Sequence, residues 1–274
     1  MSHNTQRLVF GLGLSNGVVA DRLSNRVALV AVSLVLISAT HLVAQEKPAK
    51  DGLPKATEPT LQEVPPAKKE YMGRVIAPAM GYAHAAWLTR DTREQEEDPL
   101  QTLANLGLKP GMVVCDLGCG NGYYTIEMAK RVAPTGKIFA VDIQPEMLHL
   151  LELRLEEKEV KNVELVLGGL VDPRMPDDSI DLLLMVDVYH EFSHPVLMLQ
   201  ALRKSLKPEG RIALVEFRAE DRNVPIRPEH KMSKKQILKE YKANGFKLVE
   251  EYDKLPWQHL MFFQRDPDWK PKSE

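Results

Sequence analysis

Cysteine is nearly absent, with two in 274 residues. That excludes a disulfide framework, and neither Cys115 nor Cys119 has a histidine nearby to complete a zinc module. No metal site is expected from these residues. Excess charge of either sign is missing too. Lys and Arg total 36 against 38 Asp and Glu, a formal net charge of −2, and the pI is about 6.5. That balance leaves no basic footprint for nucleic acid. A long apolar run occurs at residues 27–44, just long enough to span a membrane.

That single run is broken only by Ser33, Ser38, Thr40 and His41, and Arg7, Arg22 and Arg26 precede it. Residues 1–44 read either as a signal peptide cleaved after Ala44 or as an uncleaved transmembrane anchor in contact with the bilayer. In both cases the arginines place the rest of the chain outside the cytoplasm, exported or membrane-anchored. Residues 45–70 hold prolines 48, 54, 59, 65 and 66 and no aromatic side chain, the composition of a disordered linker. Residues 71–97 form a segment ahead of the main domain, with Met80, His84 and Trp87 as apolar and ring-bearing positions. The main domain is expected over 98–274.

The organising stretch is Val113-Val114-Cys115-Asp116-Leu117-Gly118-Cys119-Gly120-Asn121-Gly122. A short apolar run is closed by Asp116, and three alternating glycines come after it. Next comes a helical pattern with Ile126, Ala129 and Val132 on one face. Glycines here permit positive φ and close approach of a ligand to the backbone. Twenty residues on, the apolar run Lys137–Val141 ends in Asp142, where a nucleotide-binding half-fold places the acid that takes ribose hydroxyls. The spacing is Gly-x-Gly-x-Gly, with Tyr123 where the dinucleotide fingerprint would need its last glycine. A carboxylate two residues before the first glycine suits a ligand with an ammonium group better than a phosphate.

Asp-x-Gly-x-Gly-x-Gly followed by Asp142 resembles the class I S-adenosylmethionine-dependent methyltransferases, in the small-molecule branch. The resemblance implies S-adenosyl-L-methionine as cofactor. It also implies that Asp116, Gly118, Gly120 and Gly122 hold the methionine part, with Asp116 toward its ammonium group. Asp142 and Ile143 lie at the ribose, and Gly169 and Leu170 at the adenine edge. Many relatives carry an acid at the position of Gly169, so backbone groups must serve there, or Asp172.

The remaining pattern alternates strands and helices. Strands are expected at 163–167, 180–186, 211–216, 246–252 and 258–264, and helices start near Pro99, Pro145, Pro195 and Ser233. The last two strands are joined without room for a helix and must pair antiparallel. The fold class is therefore α/β. It is a Rossmann-like, seven-stranded, mostly parallel sheet with a C-terminal antiparallel hairpin strand and helices on both faces. The resemblance adds the strand order 3-2-1-4-5-7-6.

The run Asp187-Val188-Tyr189-His190-Glu191 ends the fourth strand and crowds titratable side chains there. Asp187 is a cofactor-binding candidate, and His190 and Tyr189 are candidate bases for an acceptor that must lose a proton. Trp87, Glu216 at the end of the fifth strand, and His230 in the basic loop after it are candidate substrate contacts. The loop's Arg218, Arg222, Arg227 and Lys231 admit an anionic acceptor. Nothing in the sequence sets the acceptor's identity or the oligomeric state. The leading function is methyl transfer to a small molecule. The alternatives are a catalytically silent cofactor-binding protein and an NAD-dependent oxidoreductase.

Overall fold

A computed structural model describes residues 64–271. The expected leader or anchor, and most of the expected linker, lie outside the described residues. Among the described residues no helix is long and apolar enough to cross a membrane.

The main sheet contains β1 (Val113–Leu117), β2 (Lys137–Asp142), β3 (Val163–Leu167), β4 (Ile180–Val186), β5 (Leu206–Phe217), β6 (Phe246–Tyr252) and β7 (Gln258–Arg265). Their order across the sheet is β3-β2-β1-β4-β5-β7-β6. The first five are parallel, and β7 runs antiparallel to both β5 and β6. This is the order implied by the resemblance. The helices are α1 (Arg93–Glu97), α2 (Pro99–Asn105), α3 (Tyr123–Val132), α4 (Pro145–Glu157), α5 (Pro195–Ser205) and α6 (Lys234–Ala243).

Period-two alternation divides the core between the two faces of the sheet. Leu183, Met185, Ile212, Leu214 and Phe263 pack with Leu199 and Leu202 of α5 and with Ile237 and Tyr241 of α6. Leu182, Leu184, Ala213, Val215 and Phe262 pack on the other side with Leu103 of α2 and Met128 and Val132 of α3. A central parallel strand is covered on both faces, which is why β4 reads as an unbroken apolar run. β5 starts at Leu206, earlier than the expected Arg211. A register shift between Ile180 and Leu182 lets the expected turn Lys207–Gly210 stay in the strand.

β1 lies between β2 and β4, so the order in which strands are added reverses there. The crevice beyond the carboxyl ends of β1 and β4 is the switch point where ligands of such sheets bind. The N-terminal segment covers that crevice. It begins with a two-stranded hairpin, Glu70–Tyr71 against Arg74–Val75, and continues into a 3-10 helix, Tyr82–Thr89. Lys68 N–H donates to Ser193 O at 3.0 Å, and His194 Nε2 lies 2.6 Å from Pro65 O. Packed structure thus reaches back into the stretch read as linker, ahead of the expected start at Tyr71. A buried ion pair fastens the hairpin. Arg74 Nε and Nη2 donate to the two oxygens of Glu240 at 2.8 and 3.2 Å, and Arg74 Nη1 donates to His190 O at 2.9 Å.

Candidate active site

The glycine loop takes the left-handed conformation at φ +73, +52 and +80° for Gly118, Gly120 and Gly122. Asp142 fastens it from β2. One carboxylate oxygen accepts the Gly120 N–H at 2.9 Å, and the other accepts the Gln144 N–H at 2.9 Å. Above the loop opens a cavity of about 520 Å³, within the range of small-molecule sites. Gly118, Gly120, Asp142, Ile143, Gly169 and Leu170 line one end of it. The cap segment contributes Met80, His84, Trp87, Leu88 and Arg93. Trp87 is half exposed, with the Arg90 guanidinium 3.8 Å from its ring centre.

Several expected residues sit elsewhere. Asp116 does not line the cavity. It is buried, and it accepts the Thr125 hydroxyl from the first turn of α3 at 2.5 Å. Burial pushes its pKa up to about 6, with Asp142 adding to the rise against the Thr125 bond. Its place is beneath the loop, holding strand to helix. Gly122 also lies outside the lining, and a Cβ there would meet Leu151 Cδ1 at 2.1 Å. It serves the close packing of the loop on α4. Tyr189 is fully buried on the far side of its turn, and its hydroxyl donates to Glu240 at 2.6 Å. It has no path to an acceptor and belongs to the Arg74–Glu240 cluster. Asp172 turns away as well, with a carboxylate oxygen accepting the Arg174 N–H at 2.7 Å.

Asp187 lines the cavity with positive φ, 55°. One of its oxygens accepts from Gln258 Nε2 at 2.7 Å, and the other is buried without a partner among the described residues. Burial raises its pKa well above the usual carboxylate range, and Glu97 and Glu216 add to the rise against Arg93. A cationic group in the cavity would satisfy this oxygen.

At the other end stands a cluster drawn from two segments. His190 comes just after β4, and His230 lies in a short 3-10 turn, Pro228–His230, after β5. The buried Glu216 carboxylate accepts the His190 backbone N–H at 3.2 Å and stands 2.7 Å from Nδ1. Nδ1 therefore carries a proton, and Nε2 points to the cavity. His190 Nε2 is 3.1 Å from His230 Nδ1. Burial works against protonation of His190, but Glu216 more than offsets it and the pKa is raised. The pKa of His230 is lowered, first by burial and then by His190. Glu191 accepts the Met80 N–H at 3.1 Å, and burial pushes its carboxyl up to about 7. Glu216 itself lies behind His190 and does not touch the cavity. Of the basic loop, Arg227 reaches the lining. Arg218 is occupied by the carbonyls of Pro256 and Asp253, and Lys231 by those of Asp221 and Val224.

Sequence reasoning left Arg93 and Gln144 out of the site and named Glu191 only among the titratable side chains crowded at the end of the fourth strand. Gln144 comes two residues after Asp142 and could have been read from that spacing. Arg93 is hidden in the charged run Arg90–Glu97, where nothing separates a cavity residue from a solvated one.

A glycine loop under an acid-tipped second strand, at the switch point of a 3-2-1-4-5-7-6 sheet, defines the class I S-adenosylmethionine-dependent methyltransferase fold. The chain belongs to the methyltransferase domain family, whose sequence profile matches residues 108–261, more than half of the chain. It is similar to the demethylmenaquinone methyltransferase of Lactococcus lactis subsp. lactis (strain IL1403), 27% identical over 116 residues, covering 42% of this chain and 46% of that protein. It is also similar to the ubiquinone/menaquinone biosynthesis C-methyltransferase UbiE of Burkholderia orbicola (strain MC0-3), 31% identical, covering 42% and 47%. The chain thus spans just under half the length of these curated relatives. A solved SAM dependent methyltransferase from Aquifex aeolicus matches at 26% identity and TM-score 0.64, over 68% of this chain and 98% of its own. The [4+2]-cyclase SpnF shares the fold at 20% identity and TM-score 0.50, over 57% and 59%. The fold alone therefore does not dictate the reaction.

The residues present fit the family's cofactor. Ile143 and Leu170 expose 42% and 48% of their surface beside the cavity, apolar surface suited to the faces of a purine ring. Asp142 offers acceptor capacity for ribose hydroxyls, Gly118 and Gly120 leave bare backbone, and the unpartnered Asp187 oxygen suits an ammonium group. Of the two acids, Asp187 lines the cavity and Asp116 does not.

Proposed function

We propose that this chain is an S-adenosylmethionine-dependent methyltransferase acting on a small, largely apolar acceptor that carries an ionisable oxygen. One observation carries the reading: a single cavity joins the glycine loop and Asp142 at one end to His190, Glu191 and His230 at the other. The bound cofactor supplies a methyl group already activated as a sulfonium. The chain's own task is therefore mainly alignment and exclusion of water. Phe192, Phe217, Met198 and Ile226 give the acceptor end apolar walls. Met80, whose N–H donates to Glu191, closes it from the cap segment, and Leu88 covers the glycine loop. Glu216 holds His190 so that Nε2 faces the space where an acceptor's proton would leave. The quinone names of the curated relatives make a phenolic or quinol ring the first class to test. Purified protein incubated with methyl-labelled cofactor and a panel of quinols and phenols is expected to transfer label to at least one of them. Tight cofactor binding with no transfer to any would favour the silent binding protein instead.

Residues 1–44 complete the proposal by carrying the domain out of the cytoplasm or tethering it to the membrane. A reporter fused after residue 44 is expected to be active only outside the cytoplasm. Leu36→Arg places a charge mid-run at about 2.5–3.5 kcal/mol and is expected to reduce export strongly. Undiminished export of the Leu36→Arg fusion would refute this assignment.

A further inference from the structure

We propose that His190, Glu191 and His230 form a binding site for one divalent first-row transition-metal ion at the acceptor end of the cavity. One ligand atom from each of the three lies within 4.8 Å of the others. His190 Nε2 and His230 Nδ1 are 3.1 Å apart, and Glu191 Oε1 is 3.9 Å from His190 Nε2. Two nitrogens held at about 2.0–2.1 Å from one zinc ion stand roughly 3–3.4 Å apart, so the imidazoles already have the separation that a shared ion requires. The carboxylate closes the set on the same side.

The surroundings match such a site as well. A metal-binding histidine usually gives its other ring N–H to a carboxylate, which fixes the tautomer and makes the ligating nitrogen more basic. Glu216 does this for His190 at 2.7 Å from a fully buried position. Among the described residues the two nitrogens face each other at 3.1 Å, and with no ion one must hold a proton between them. Glu191 is left as a largely buried carboxylate whose close donor is the Met80 N–H. A cation answers both conditions at once. Two imidazoles and one carboxylate with no thiolate suit Zn(II), Fe(II), Co(II) or Mn(II). The set leaves open positions toward the cavity, as in sites that bind a substrate atom. In its use the site rests on the methyltransferase reading: the ion would anchor the acceptor's anionic oxygen and lower its pKa. The ion site itself does not depend on that reading.

The test uses the full chain, freed of metal by a chelator and titrated calorimetrically with Zn(II). Co(II) serves as a spectroscopic probe, and S-adenosylhomocysteine affinity is measured in parallel. One equivalent of Zn(II) is expected to bind, and Co(II) to give visible bands of nitrogen and oxygen coordination. His230→Ala and Glu191→Gln are expected to abolish stoichiometric binding while keeping S-adenosylhomocysteine affinity. Glu216→Gln is expected to weaken Zn(II) by about 10–100-fold, a response that surface histidines would not show. Zn(II) should raise the melting temperature of the wild type but not of His230→Ala. His230 sits in a half-exposed turn, so its removal tests the site without threatening the fold. Failure of Zn(II), Co(II), Fe(II) and Mn(II) to bind stoichiometrically, or binding that survives His230→Ala, overturns the proposal. If the metal fails while S-adenosylhomocysteine binds, the methyltransferase reading stands alone. If the metal binds and S-adenosylhomocysteine does not, the metal site stands and that reading falls.

Discussion

Gly120→Val is expected to lose S-adenosylhomocysteine affinity by about 10³-fold or more, ~4 kcal/mol. Two effects combine. Gly120 holds φ +52°, a conformation that a β-branched residue takes only under strain. Its added Cβ would also stand 2.5 Å from Leu88 Cδ1, in the space between loop and cap. Leu88 is flexible and can move, so the overlap alone does not unfold the chain, but moving it fills the cavity or opens the cap. The strain further works against the bond from Gly120 N–H to Asp142, which holds that carboxylate at the cavity wall. Calorimetry should therefore show lost binding with only a modest fall in melting temperature. Wild-type affinity in Gly120→Val would remove the cofactor assignment.

Arg74→Met is expected to cost about 3–5 kcal/mol of stability, the range for breaking one side of a buried ion pair. Glu240 is fully buried, and the Arg74 side chain is 10% exposed. Tyr189 O–H and Gln236 Nε2 also donate to Glu240, at 2.6 and 2.7 Å. Neither neutral donor replaces the lost charge. Adding Glu240→Gln should restore much of the loss, because no uncompensated charge then remains. Denaturant titration of the single and double variants measures this directly. A loss under about 1 kcal/mol, as for exposed pairs, would show that water reaches Glu240.

The framework was readable because its signals are local. The runs Val113–Leu117 and Ile180–Val186 must be buried strands, and Gly118, Gly120 and Gly122 must be a turn whichever helix comes next. Asp142 could be placed because it ends a strand at a fixed distance from that turn. The features that stayed hidden depend on contacts that spacing does not encode. Glu216 lies 26 residues from His190 and His230 lies 40 away, yet His190 meets both. Tyr189 was grouped with His190 as its neighbour, but in a 3-10 turn adjacent side chains point apart. One enters the core and the other the cavity. Asp116 carries a familiar motif position, and only packing shows that Thr125 holds it. Arg93 could not be told from the charges around it until Leu88 O and Glu97 proved to hold it.

The Arg74–Glu240 pair spans 166 positions of the chain, and this orders events in time. A ribosome releases the N-terminal part first, so the hairpin and the Tyr82–Thr89 turn emerge long before α6. Until then Arg74 lacks its carboxylate, and the hairpin is held only by its bonds to earlier residues, such as Arg74 to His190 O and Lys68 to Ser193 O. Contacts of such long separation form late and slowly. A nascent chain stalled before residue 240 should leave the hairpin at 70–75 more open to proteases than the finished chain does, while the β1–β2 region is already protected. Completion of α6 would then mark the moment at which the pocket's cover gains its charged latch.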